Sequence, residues 1–188
     1  MSNSFQILTR IRNLLFFPAK EWKDIAAENH NRKRIYVRFV LPMLCLIAIA
    51  NVIGTWLATP QEIYSAAYWI ALLWASLSAG LYFSAFVITE IMAHQLSARD
   101  HNRAFTLMAY SSCAAYLVIA VVSLFPFFKE LLVLAFYSCY LYWKGIPYMM
   151  GVEGQKRMIY GLLSFIIVIL VYVLMLFFFG KVLMSILL

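Results

Sequence analysis

Five long apolar runs divide this chain, at about residues 36–57, 68–92, 105–125, 131–148 and 158–179. A helix crosses the hydrocarbon core of a bilayer with ~20 apolar residues. Lipid offers the backbone no hydrogen bonds, so a spanning segment must satisfy its own. The sequence therefore predicts an all-α fold, an integral membrane bundle of five transmembrane helices. The fourth run is the shortest and ends in Gly145 and Pro147, which punctuate helices. The short link Phe125-Pro126-Phe127-Phe128-Lys129-Glu130 reads as the turn of a helical hairpin. Hydrophobic residues make up 65% and charged ones 12%, against ~45–50% and ~25% in soluble domains. That gap excludes an ordinary soluble enzyme domain, a disordered tail and a disulfide-stapled module.

Ahead of the first run, Ile7, Leu8, Ile11, Leu14 and Leu15 recur at three- and four-residue steps, with Gln6, Arg10 and Asn13 opposite. This stretch is too short and too charged to span. It reads as an amphipathic helix lying in the interface, or docked on the rest of the protein. Pro18 ends it or opens a second short helix over 18–28, which Trp22 and Ile25 anchor. Residues 29–34 form a polar, basic break. Two parts follow: a cytoplasmic amphipathic and basic segment, 1–34, and a five-span membrane domain, 35–188.

The formal net charge is +7. The cations flank apolar spans, which favours anionic lipid over nucleic acid as the partner. With the amino terminus cytoplasmic, thirteen of the fifteen Lys and Arg fall on the cytoplasmic side, Arg99, Arg103, Lys144, Lys156 and Arg157 among them. Only Lys129 and Lys181 fall opposite. Basic loops stay in the cytoplasm, so the carboxyl terminus is expected outside it.

Ionisable side chains are costly in lipid, and few are present. Glu90 and Lys144 sit near the inner ends of the second and fourth runs. They either pair across the bundle, as part of a polar route for a small solute, ion or lipid, or snorkel to the interface; snorkelling is favoured. Glu90, His94, Asp100 and His101 lack the spacing of a zinc enzyme, and no metal or cofactor is expected. Cys45, Cys113 and Cys139 read as apolar fillers. In the second run Ala71, Ala75 and Ala79 form one small-residue row and Ser76, Gly80 and Ser84 another. Such rows let helices approach closely; packing within the bundle is favoured over a homodimer face. No nucleophile elbow, phosphate loop or central carboxylate pair appears, so no catalytic residue is expected.

Three blocks in chain order carry a resemblance. They are Phe17-Pro18-Ala19-Lys20-Glu21-Trp22-Lys23-Asp24-Ile25; Phe105-Thr106-Leu107-Met108-Ala109-Tyr110-Ser111; and Tyr137 to Pro147 with Gln155-Lys156-Arg157 after it. Together they resemble the Yip family of membrane proteins, and its bacterial branch in particular. Ala109, Tyr110, Ser111, Gly145 and Pro147 are the positions that match its motifs. Ser112-Cys113-Ala114-Ala115, directly after the Tyr-Ser pair, holds no proline, and the Asp-Leu-Tyr-Gly-Pro motif of eukaryotic members is missing. The resemblance implies five spans with a cytoplasmic amino terminus, in a bacterial inner membrane. Eukaryotic relatives act in vesicle traffic by binding small GTPases and one another.

The sequence thus points to a non-enzymatic membrane scaffold or partner-binding protein. Its expected partners are anionic lipids, and a homodimer or another membrane protein. A transporter with a route past Glu90 and Lys144 is the alternative.

Overall fold

The computed structural model describes residues 3–28, 31–58, 63–92, 100–152 and 154–187. Every regular element among them is helical. Helices α1 (Asn3–Phe16) and α2 (Pro18–Ala27) are joined by Phe17 alone. Pro18 stands in the first turn of α2, where a missing N–H costs nothing. Helix α3 (Arg32–Ile35), capped by the side chain of Asn31, runs through a π turn at Tyr36–Val40 into α4 (Leu41–Ala58). Pro42 follows that turn, and the wider winding accommodates a ring that would clash in a regular helix. Helix α5 covers Ile63–Met92. Asp100 caps α6 (His101–Ser111) by accepting from the N–H groups of Asn102 and Arg103. Ser112 separates α6 from α7 (Cys113–Leu124). Gly151, at φ +62°, ends α8 (Tyr137–Met150), and α9 covers Gly154–Leu187.

The expected fourth span does not wind as one α-helix. Residues Pro126–Phe136 wind as a 3-10 helix, with Phe128 off helical values at φ −98° and ψ 42°, and only then does α8 begin. Among the described residues, four helical stretches are long and apolar enough to cross a membrane: Arg32–Ala58, Ala67–Ile91, His101–Leu124 and Arg157–Ser185.

Cross-helix contacts fix the directions. Phe39 meets Tyr110 and Gly54 meets Ser123, so α4 and α6–α7 run parallel. Tyr82 meets Phe105 and Phe86 stacks on His101, so α5 runs against α6. Leu107 lies against Gly145, and the Ala115 N–H reaches Ser138 Oγ at 2.9 Å. The chain from Pro126 to Met150 therefore returns antiparallel along the whole of α6–α7. Tyr172 packs on Gly80, and Leu72 lies beside Gly180, so α9 runs against α5. Direction alternates through all five rods.

Helix α6–α7 is the axis of the bundle, and residues 104–114 are all buried. α9 packs along one side, with Leu162, Ile166, Leu170 and Phe177 exposed. No break in the core falls at residue 34. Ile11, Leu14, Trp22 and Ile25 join one hydrophobic cluster with Phe39, Leu107, Leu141 and Ile146.

Candidate interaction site at the basic end of the bundle

Trp22 pins α2 to the bundle. Its indole is fully buried, and Nε1–H donates to the Leu141 carbonyl at 3.1 Å. Gly145 makes room for it: a Cβ there would lie 2.8 Å from two indole carbons and 2.5 Å from Leu107 Cδ1.

Arg10 closes the other side. Its guanidinium donates through Nη1 and Nη2 to Glu28 at 2.7 and 2.5 Å, a two-pronged pair. Its Nε lies 3.2 Å from Glu21, and Nη1 donates to the Tyr110 hydroxyl at 3.3 Å. Asn13 donates to the second oxygen of Glu21 at 3.0 Å. Burial works against the charge of Arg10. The bond to Glu28 and the nearness of Tyr110 outweigh it, so its pKa stands above the ordinary guanidinium value. Tyr110 is itself held at a ring distance of 4.5 Å from Phe39. Glu21 and Glu28 are thus turned inward. Arg12, Lys20, Lys23, Arg32, Lys33, Arg34 and Arg38 are exposed around them, with Asp24 the one exposed acid of that region among the described residues.

A second device joins α8 to α9. Pro147 has no N–H, so the Trp143 carbonyl, four residues earlier, loses its helical donor. Arg157 Nη2 donates to it at 2.6 Å, with the guanidinium 5.1 Å over the Trp143 ring. The Ser138–Ala115 bond plays a similar part, since Ala115 lies in the first turn of α7, where N–H groups lack helical acceptors.

Of the residues singled out from sequence, Ile11, Leu14 and Trp22 do not face outward as interfacial anchors. They are buried within the protein, because α1 and α2 lay their apolar faces on α6 and α8 rather than on lipid. Ile7 and Leu15 are half-buried, and Leu8 is exposed. Ala109, Tyr110 and Ser111 are buried where α1 docks, Gly145 is buried where α2 docks, and Pro147 is half-buried near Arg157. Ser76, Gly80 and Ser84 are buried, with Gly80 against Tyr172, whereas Ala71 is exposed and Ala75 and Ala79 half-buried. Glu90 and Lys144 form no ion pair with each other among the described residues; the Lys144 ammonium lies 5.6 Å over the Tyr140 ring. His94 and Arg99 lie outside the described residues, as does the side chain of Lys156. No three metal-ligating side chains converge among the described residues. Cys45, Cys113 and Cys139 are free thiols.

Sequence reasoning missed the partners of Arg10 and Arg157. A signal existed for the first. Glu21 and Glu28 stand seven apart, on one face of α2 beside Trp22 and Ile25, which is where the protein core must be.

Long apolar helices, paired internal charges and a cationic rim at one end define a helical integral membrane protein. The family model described as the Yip1 domain matches residues 12–176, and the chain belongs to that family. Neither the curated proteins nor the solved structures contain a match to it.

Proposed function

We propose that this protein is a five-span, non-enzymatic membrane scaffold whose docked amino-terminal segment presents a cationic surface to anionic lipid headgroups. The inward pairing of Glu21 and Glu28 by Arg10 carries this reading. It buries Glu21, pairs the half-buried Glu28, and leaves Arg12, Lys20, Lys23, Arg32, Lys33, Arg34 and Arg38 facing out. Each such cation near an anionic surface contributes ~1 kcal/mol.

Five crossings are supported by the alternation of the rods. At ~2.0 Å per residue for the 3-10 turn and ~1.5 Å for α8, Pro126–Met150 is about 40 Å long, enough for a ~30 Å core. Without that crossing α9 would start at the far face and could not run against α5, as the Gly80–Tyr172 and Leu72–Gly180 neighbours require. The basic end then belongs in the cytoplasm by the charge rule. For a member of the family's bacterial branch, the membrane is the inner one.

The test is lipid selection. Full-length protein in vesicles of phosphatidylcholine with phosphatidylglycerol is extracted mildly and its bound lipids are weighed by native mass spectrometry. Phosphatidylglycerol should be retained well above its share of the vesicle. Arg32→Gln, Lys33→Gln and Arg34→Gln together should abolish most of that preference. Retention in proportion to the vesicle, before any substitution, contradicts the reading.

A further inference from the structure

The link between α1 and α2 sits far from Arg103 at the basic end of α6. Tyr137 OH donates to the Leu15 carbonyl at 2.7 Å. Its neighbour Ser138 is level with Ala115, twelve residues along the axis from Arg103, or about 18 Å. A second rung agrees. Arg10 is level with Tyr110, and Arg10 to Leu15 spans the same five residues as Tyr110 to Ala115, about 7.5 Å. Helix α1 therefore climbs alongside α6 from the basic end, and α2 descends again past Leu141 and Gly145.

The tip of this hairpin suits oil. Phe16 and Phe17 are 72% and 66% exposed, and Leu8 on the same helix is 67% exposed. Phe136, Tyr137 and Tyr140 continue the strip on the flank beside it. Part of the tip backbone is satisfied as well, leaving the Ala19 and Lys20 amides as its open donors. Phe17 N–H bonds to Asn13 at 2.7 Å, Pro18 has no N–H, and Tyr137 takes the Leu15 carbonyl, which would otherwise have bonded to Ala19. The nearest exposed charges are Arg12 and Lys20, whose stems can lie along apolar surface with their cationic heads reaching back towards the headgroups, while Arg10 and Glu21 face inward.

We propose that α1–α2 is a re-entrant hairpin whose tip, Leu15-Phe16-Phe17-Pro18, is buried among the acyl chains of the leaflet on the basic side. The partner is the lipid monolayer itself. Two helices entering one leaflet without crossing occupy area there and not in the other, so the hairpin is a wedge. The proposal rests on the spanning arrangement above.

The experiment places a fluorescent label on Phe16→Cys and Phe17→Cys, one at a time, in full-length protein in phosphatidylcholine–phosphatidylglycerol vesicles. Val52→Cys, on an exposed position of α4, reports the hydrocarbon, and Arg34→Cys reports water. Wild type labelled in parallel corrects for the three native thiols. Labels at 16 and 17 should be quenched several-fold more by nitroxides on the acyl chain than by headgroup nitroxides, and should resist aqueous iodide, as at Val52. Quenching by iodide to the level of Arg34, with Val52 still shielded, overturns the hairpin alone. Iodide reaching Val52 overturns the spanning arrangement and the hairpin with it. Shielding from both iodide and acyl nitroxides puts protein, not lipid, over the tip and also overturns it. Wild type gives an independent reading. The Ala19 and Lys20 amides have no helical acceptor, so they should exchange their hydrogens slowly in vesicles only if the tip is out of water; exchange at the rate of an open chain contradicts the proposal.

Discussion

Arg157 donates to the carbonyl of Trp143 at 2.6 Å, the one acceptor that Pro147 deprives of its helical partner. A break in one helix is thereby repaired by a side chain from the next. Arg157→Met should cost about 1–3 kcal/mol, the range for leaving a buried acceptor without its donor. Pro147→Ala supplies the missing N–H, so the double substitution should recover part of the loss. Thermal unfolding in detergent of the four proteins of this cycle measures the coupling. Additive losses would mean that the two residues act separately.

Arg10 and Glu21 make a second cycle. Glu21 is 6% exposed, and Arg10 is its only cation among the described contacts. Arg10→Met leaves that carboxylate buried without a cation, with the Asn13 amide its remaining donor, at a cost of about 3–5 kcal/mol. Adding Glu21→Gln removes the stranded charge and should return a good part of that loss. Trypsin cleavage at Lys20 and Lys23 reports whether α2 stays docked: fast in Arg10→Met, slow in wild type, intermediate in the double variant.

Close approach predicts a contrast between glycines. A Cβ on Gly54 would lie within van der Waals overlap of the Ser123 carbonyl and 2.9 Å from that of Leu124, so α4 and α7 touch backbone to backbone. Gly54→Ala should destabilise by about 1–3 kcal/mol or more, because a backbone cannot step aside as a side chain can. Gly180→Ala meets only Leu72 Cδ1, at 4.0 Å, and should be neutral or slightly stabilising. Equal melting temperatures for the two variants would count against the close packing of α4 on α7.

Gly145 tests the pin on α2. Gly145→Val drives methyl groups into the indole of Trp22 and the side chain of Leu107. It should expose Lys20 and Lys23 to trypsin and shift the Trp22 emission to longer wavelength. Trp22→Phe keeps an aromatic ring but loses the Leu141 bond and part of the buried indole volume, for about 1–3 kcal/mol, with α2 still in place.

The long runs of Val, Ile, Leu and Phe made the helical membrane class legible, and the clustering of cations made one end of the bundle distinct. The pattern of Ile7, Ile11 and Leu14 was legible as a helical face, but periodicity reports that a face is buried and not what buries it. Lipid and the flanks of α6 and α8 demand the same residues, so the face of Ile11, Leu14 and Trp22 read equally as interfacial or docked, and the fold places these residues in the core. The 3-10 winding of Pro126–Phe136 was hidden for a related reason: apolar composition sets the environment of a segment, not its pitch. The pairing of Arg10 with Glu28 spans 18 residues and that of Arg10 with Tyr110 spans 100, beyond any local signal.

The most direct test of the account counts crossings. Arg34→Cys and Ser185→Cys, each in intact spheroplasts, are exposed to a membrane-impermeant maleimide, with wild type as background. An odd number of spans with the basic end inside predicts labelling of Ser185→Cys from the outside and of Arg34→Cys only after lysis. Both sites responding from the same side would mean an even number of crossings and would contradict the five alternating rods.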